Sequence, residues 1–397
     1  MPTAARATRL AIPTAIVGAS LLTACGSSSG TTSTEVIVTT DPGTTQPATT
    51  PQPTAASTGA PRSGDAELAS LVADLLDGSS AVPSAFGIAL VEGDETRVAV
   101  AGTVSAADDT AVSLDARFHL GSDTKAMTAV ALASVLDERG FDLSSTLGDV
   151  LPDVALDPAF AGLPIAELLA HRAGIVDQAL PLDLPSLSAM PAVEARDIAA
   201  RQMLAAPPQD PSRAFAYSNA GYTIAGWISE HLTGQPWRDV VQQRVFEPLG
   251  MTCGFGAPAG AGEPIGHDAD GTPDEREDTN PELIDPAGRV SCSMVDWAAW
   301  ARAMLDIAEG RPSDLLSDEM AAQLLTSPDS GDYASGWVRL AGPDGAIAYG
   351  HDGSNTHWLA RILIIPAEDR ALLIAANDAT EATSRAFDSL VASVLVG

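Results

Sequence analysis

The sequence predicts an α+β fold, in which a sheet domain carries an inserted all-helical lobe and a cleft lies between the two. Three observations predict it. Short runs rich in Val, Ile, Leu and Ala stand near both ends of the folded part, at 85–91 and 96–103 and again at 336–340, 346–349, 358–365 and 371–376. Between them lie mainly helical stretches, at 165–170, 192–205, 220–232, 237–246 and 294–307. The 397 residues are 45% hydrophobic, which is enough to bury a large core.

The first segments are not part of that core. MPTAARATRL carries Arg6 and Arg9 and no acid, and an apolar run follows over 10–24. Residues 1–24 therefore read as a secretory signal peptide, too short for a spanning helix. The run ends in Leu22-Thr23-Ala24-Cys25, which is similar to the lipobox of bacterial lipoproteins. That likeness implies an acylated Cys25 and a protein anchored on the outer face of the cytoplasmic membrane. Residues 25–63 are almost wholly Ser, Thr, Gly, Pro and Ala and read as a disordered tether. Gly26-Ser27-Ser28-Ser29-Gly30 formally matches the pattern Gly-x-Ser-x-Gly, but no strand precedes it and no helix follows, so it is low complexity.

Residues 64–397 form the expected folded domain. Residues 65–76 (DAELASLVADLL) place apolar groups at helical spacing. The runs at 85–91 and 96–103, separated by Glu92-Gly93-Asp94-Glu95, read as a hairpin packed on that helix. A helix follows over 122–139, with Met127, Val130, Ala131 and Val135 at apolar positions and Gly140 at its end. Segments 180–191 and 254–286 are turn-rich, a helix closes the chain over 380–395, and no repeat of 20–50 residues is visible.

Charge excludes one class of partner. Against 52 acidic residues stand 21 basic ones, a net charge of −31, and nothing here neutralises a run of phosphates, so no nucleic-acid partner is expected. Twenty of the basic residues are Arg and one is Lys125. A chain this rich in arginine replaces any lysine whose only task is surface charge, so Lys125 calls for a chemical reason.

Ser122-Asp123-Thr124-Lys125 supplies one. Positions i and i+3 of a helix share a face, so the amine reaches the hydroxyl. A helix N-terminus stabilises a developing alkoxide, and burial favours a neutral amine. A neutral lysine acts as general base, which Arg cannot do because it does not deprotonate. Tyr217-Ser218-Asn219 stands downstream at the head of a helix, and His351-Asp352-Gly353 lies just past the run at 346–349.

These three motifs, in this order, resemble those of the serine β-lactamase, penicillin-binding protein and esterase superfamily: Ser-x-x-Lys, then Tyr-x-Asn, then Lys-Thr-Gly or His-x-Gly. The likeness spans about 66–396. Softer matches are Leu168-Leu169-Ala170-His171-Arg172-Ala173-Gly174-Ile175, Phe246-Glu247-Pro248-Leu249-Gly250-Met251 and Pro286-Ala287-Gly288-Arg289-Val290-Ser291. The resemblance implies a β-lactamase/transpeptidase-like fold with an antiparallel sheet flanked by helices. It implies that Ser122 attacks a carbonyl carbon, that Lys125 with Tyr217 removes its proton, and that Asn219 orients Lys125 and the substrate amide. The backbone N–H groups of Ser122 and Ser354 are expected to form the oxyanion hole, and Gly353 lets substrate approach the strand edge.

His171 reads as a hydrogen-bonded structural histidine and Asp296 as a first-turn acid of a helix. His351 and His357 with Asp352 lack a third strong ligand at a recognised spacing, so no metal is expected, and no cofactor. Where the family has Lys-Thr-Gly, His351 is largely neutral at pH 7 unless shifted, and Asp352 facing the cleft would repel a substrate carboxylate. If His351 had to be cationic, carboxylate substrates would turn over faster below about pH 6.5. The class A Glu-x-x-Leu-Asn loop is absent, for no Leu-Asn dipeptide occurs.

Cys253 and Cys292 remain as an even pair in an oxidising compartment. A disulfide is expected rather than two buried thiols, closing about 40 residues and worth roughly 4 kcal/mol. The expected protein is a monomeric surface serine hydrolase. Its partners are a small-molecule or cell-wall peptide substrate and the membrane, and the substrate is an ester, a D-amino-acid amide or a β-lactam. The alternative is a penicillin-binding lipoprotein that acylates slowly and acts as a cell-wall sensor or trap.

Overall fold

The computed structural model describes residues 64–395 apart from 79–83, 181, 275–279, 329–330 and 343–344. The expected signal peptide, Cys25 and the tether lie outside the described residues. Helix α1 (Ala66–Gly78) leads into β1 (Ala85–Glu92), β2 (Glu95–Ser105), β3 (Asp108–Ala111) and β4 (Arg117–His119). Helices α2 (Thr124–Glu138), α3 (Ala192–Ala205) and α4 (Asn219–Thr233) dominate the middle of the chain. There follow β5 (Gly254–Phe255), β6 (Val290–Ser293), helix α5 (Met294–Ala308), β7 (Tyr333–Ala334), β8 (Trp337–Ala341), β9 (Ile347–Ser354), β10 (Leu359–Ile365), β11 (Arg370–Ala376) and helix α6 (Glu381–Leu395).

The two ends of the domain meet in one antiparallel sheet of order β3-β2-β1-β11-β10-β9-β8-β7. Register from Phe86↔Ala376 to Glu92↔Arg370 joins the first hairpin to the last strands. Strands β1, β10 and β11 are buried almost throughout, which is why they read as continuous apolar runs and not as alternation. One face is covered by α1 and α6, where Leu68, Val72, Phe387 and Leu390 pack on Phe86, Ile88, Leu372 and Ile374. On the other face Met294, Trp297 and Ala301 of α5 share a second core with Ala89, Ile362 and Leu373, and that core continues into the helical lobe.

Helix α2 runs through the second core. A single apolar stripe was expected, but only three of its 15 residues escape burial, as befits a helix wrapped on all sides. Its hydroxyls find internal partners: Thr128 Oγ1 donates to Pro286 O at 2.7 Å, and Thr124 Oγ1 accepts from Val290 N–H at 3.0 Å. These bonds stitch the helix to segment 286–290. Beside it the small sheet β4-β6-β5 is closed by a disulfide between Cys253 and Cys292, with Cα atoms 4.4 Å apart.

Several boundaries differ from expectation. Strand β9 continues to Ser354, so His351-Asp352-Gly353 lies on the strand and not past it. Gly350, Asp352 and Gly353 look like turn chemistry, but pairing with β10 from Tyr349↔Ile364 to Ser354↔Leu359 overrides local propensity. Strands β3 to β7 have two to four residues each, too short to show alternation. Segment 180–191 holds a helical turn at Leu184–Ser188, capped by Asp183. Among the described residues no helix is long and apolar enough to cross a membrane.

Candidate active site

Ser122 sits in a 3-10 turn (Gly121–Asp123) that feeds directly into α2. One turn on, Lys125 is fully buried. Its Nζ lies 3.0 Å from Ser122 Oγ, 2.8 Å from Asn219 Oδ1 and 2.6 Å from Ala287 O. The amine donates to the amide and carbonyl oxygens, and the serine hydroxyl stands within proton-transfer distance of the same nitrogen. The sequence motifs thus meet at one nitrogen, from α2, from the start of α4 and from the 285–288 turn.

Tyr217 closes one side. Its ring lies 4.9 Å from Lys125 Nζ and 4.4 Å from the ring of His171. His171 is buried with φ +59°, and its Nδ1 accepts the Ser218 N–H at 3.1 Å. Tyr222 and Tyr333 lie against the same imidazole at 5.3 and 4.6 Å. Burial and the nearby Lys125 hold His171 well below its usual pKa, so it stays neutral and structural.

The start of α4 has a feature that sequence reasoning missed. Asp177 accepts Ser218 Oγ–H at 2.6 Å and the N–H groups of Asn219 and Ala220 at 2.8 and 3.3 Å. A carboxylate on a helix N-terminus fixes the end that presents Tyr217 and Asn219. Nothing in the sequence marks it, because the contact spans some forty residues. Ala287 was within reach of notice, since Pro286-Ala287-Gly288 had already matched.

Strand β9 brings the third motif against the nucleophile. A Cβ on Gly353 would stand 1.9 Å from Leu120 O and 2.9 Å from Ser122 N, and one on Gly121 (φ +50°) would stand 2.3 Å from Ser354 N. Only glycine permits this approach. It brings the backbone at Gly353 and Ser354 close against Gly121 and Ser122.

The structure decides two conditions that the sequence left open on this strand, and it bears out a neutral His351. Asp352 does not face the cleft: its carboxylate is buried against Arg361, its cross-strand partner, at 2.7 and 2.8 Å, and Arg361 reaches on to Asp388 of α6. His351 is no candidate cation either. Burial, with Lys125 nearby, pushes it down to about 3, and its ring is fixed by Tyr333 Oη at Nε2 (3.0 Å) and by Asp352 O at Nδ1 (2.8 Å). With Nδ1–H given to that carbonyl, Nε2 accepts the Tyr333 hydroxyl. Asp123, directly after the nucleophile, is buried 3.4 Å from His351 Nδ1 and is raised well above the usual carboxylate range by desolvation and by Asp352.

The groups gathered around Lys125 are a hydroxyl, a phenol ring and an amide. Three side chains of types that can hold a metal gather elsewhere, Asp268 and Asp274 of one loop and His357 of the turn after Ser354.

The chain belongs to the Beta-lactamase family, whose model matches residues 68–395. It is 29% identical over 311 residues to Penicillin-binding protein 4 of Amycolatopsis lactamdurans, covering 72% of this chain and 78% of that one. It is 25% identical over 334 residues to the Unguisins hydrolase ungD of Aspergillus violaceofuscus, where the match covers 73% of this chain and 57% of the relative. Among solved structures it superposes on SurE with a TM-score of 0.67 at 24% identity, covering 83% of this chain and 74% of the other. The class C β-lactamase from Rhodobacter sphaeroides gives 0.62 at 21%, covering 82% and 99%. The fold is the β-lactamase/transpeptidase fold, and the protein is a serine hydrolase of the β-lactamase and penicillin-binding family.

Proposed function

We propose that the protein is an extracytoplasmic, lipid-anchored hydrolase that turns over esters or D-amino-acid amides through an acyl-enzyme on Ser122. The observation that carries this is the buried Lys125 amine held 3.0 Å from Ser122 Oγ by Asn219 and Ala287. Lys125, with Tyr217, takes the hydroxyl proton as Oγ bonds to the carbonyl carbon. The oxyanion gathers at the Ser122 and Ser354 N–H groups. As the tetrahedral species collapses, the proton passes to the departing alcohol or amine, and water then repeats the sequence on the ester of Ser122.

His351 is neutral and Asp352 is committed to Arg361, so the third motif offers a substrate carboxylate neither attraction nor repulsion. This favours neutral esters and N-terminal D-amino-acid amides over peptides with a free C-terminal carboxylate. The location rests on the lipobox-like Cys25 and on a disulfide suited to an oxidising compartment. Intact mass after a fluorophosphonate or a penicillin is expected to show one adduct, absent in Ser122→Ala. No adduct with either probe overturns the proposal. The penicillin-binding relative supports a second reading, slow acylation as a sensor. A burst of one equivalent with no steady state on esters, nitrocefin or D-alanyl peptides would select it.

A further inference from the structure

Behind the turn that carries Ser354, His357 lies between two carboxylates. Its Nε2 is 3.1 Å from Asp274 Oδ2, and its Nδ1 is 3.3 Å from Asp268 Oδ1. His357 is 7% exposed. The Asp274 side chain is equally buried, while that of Asp268 is 48% exposed, so solvent reaches the cluster from the Asp268 side.

The two contacts are chemically unlike. Nε2 stands at hydrogen-bond distance from Asp274 and donates to it. Nδ1 is fully buried and makes no hydrogen bond, although a carboxylate oxygen stands beside it. A neutral ring that spends its one N–H on Asp274 presents a lone pair at Nδ1, toward an oxygen that also presents lone pairs. Two acceptors this close, with little water between them, are unfavourable unless positive charge sits between them. A proton there would make an N–H···O bond, and the geometry holds none. A tetrahedral cation with ligands at about 2.0–2.1 Å separates those ligands by about 3.3 Å. A histidine whose other nitrogen is held by a carboxylate is also how metal-bound imidazoles are oriented. The ligating atoms of all three residues lie within 4.8 Å of one another.

We propose that Asp268, Asp274 and His357 form a binding site for a divalent cation of the zinc class. His357 Nδ1 and Asp268 Oδ1 are direct ligands, Asp274 orients the ring from Nε2, and water completes the shell. Mixed nitrogen and oxygen donors favour such a cation over calcium or magnesium. Sequence spacing hid the site because its acids come from a loop far upstream of His357. That loop is folded on itself by Gly271 N–H to Asp268 O at 2.9 Å and Asp274 N–H to Gly266 O at 2.8 Å. The cation ties it to the turn leading away from Ser354, so its role is structural support of the oxyanion strand.

The test is calorimetric titration of the EDTA-stripped protein with ZnCl2 in excess MgCl2, with thermal unfolding alongside. One saturable equivalent is expected, with a melting temperature that rises with zinc. His357→Gln should abolish binding, and Asp274→Asn should weaken it about 10- to 100-fold. Asp270→Asn, an exposed acid of the same loop outside the cluster, should leave it unchanged. Each variant is first shown to unfold cooperatively in EDTA. If His357→Gln does not fold, the half-exposed Asp268→Asn carries the same test. No saturable binding up to about 1 mM ZnCl2, several weak equivalents, or single-site binding that survives the loss of His357 or Asp268 would each overturn the proposal.

Discussion

Replacing Lys125 by Arg separates charge from basicity at the one position where this chain keeps a lysine. The amine is fully buried, with three oxygen partners at 3.0, 2.8 and 2.6 Å. A guanidinium keeps N–H donors at this position but cannot take the Ser122 proton. Loss of a positioned general base costs about 10²–10⁴ in rate. The larger planar group must also be forced into a buried position, at about 1–3 kcal/mol of stability. The kcat/KM for p-nitrophenyl acetate should therefore fall by about 10³ or more, equivalent to about 4 kcal/mol of transition-state stabilisation. Stopped-flow acylation reads the chemistry, and urea unfolding of the same sample reads the packing. Lys125→Met fits the volume more closely but removes the base, so it should lose activity to the same degree with a smaller stability change. A folded Lys125→Arg protein that keeps more than about a tenth of the activity refutes the assignment of Lys125 as base.

Gly353→Ala should lower kcat about 10²–10³-fold, because a Cβ 1.9 Å from Leu120 O must push β9 away from the nucleophile turn; steady-state kinetics on an ester checks it. Asp352→Asn should destabilise the fold by about 3–5 kcal/mol in urea, since it leaves the buried Arg361 with Asp388 as its remaining carboxylate, while the KM ratio of carboxylate to neutral substrates stays put. His351 sits near 3 in the fold and near 6.5 when unfolded, so between those values the unfolded chain binds the extra proton and stability falls as pH is lowered, by about 1.4 kcal/mol per unit. The raised Asp123 acts with the opposite sign above pH 3.8, so the check is the urea midpoint of the parent minus that of His351→Gln, which should decrease from pH 7 to 5. In the same window the kcat/KM of carboxylate and neutral esters should change in parallel, because His351 does not titrate there.

The residues that the fold gathers around Lys125 were legible because each belongs to a short local pattern, and because one lysine among twenty arginines called for a chemical reason. The sheet was legible where burial on both faces wrote long apolar runs, as in β10 and β11. What stayed hidden is held by contacts between distant segments. Asp177 is one exposed-looking acid in a strongly acidic chain until the fold lays it on the start of α4. Tyr333 sits on a two-residue strand that no periodicity reveals, yet its hydroxyl holds Nε2 of His351. Asp268 and Asp274 lie in a turn-rich stretch where acids are ordinarily solvated, and only the return of the chain at His357 gives them a common focus.

The parity of β9 accounts for where its charged side chain goes. Successive strand residues point to opposite faces, so once Gly353 must face the nucleophile turn, His351 faces it too and Asp352 is sent to the α6 side. A motif read as three adjacent letters makes all three look like cleft residues. Read as a strand, it makes the acid structural and leaves the imidazole buried beside a cationic or proton-accepting lysine, where a charge of its own would be unfavourable. Selectivity at this motif therefore comes from its backbone: whatever the substrate, the strand contributes an N–H and the absence of a side chain. In this chain, selection for a substrate carboxylate would need a cation from outside the motif. That is why substrates without a carboxylate are the ones expected to turn over here.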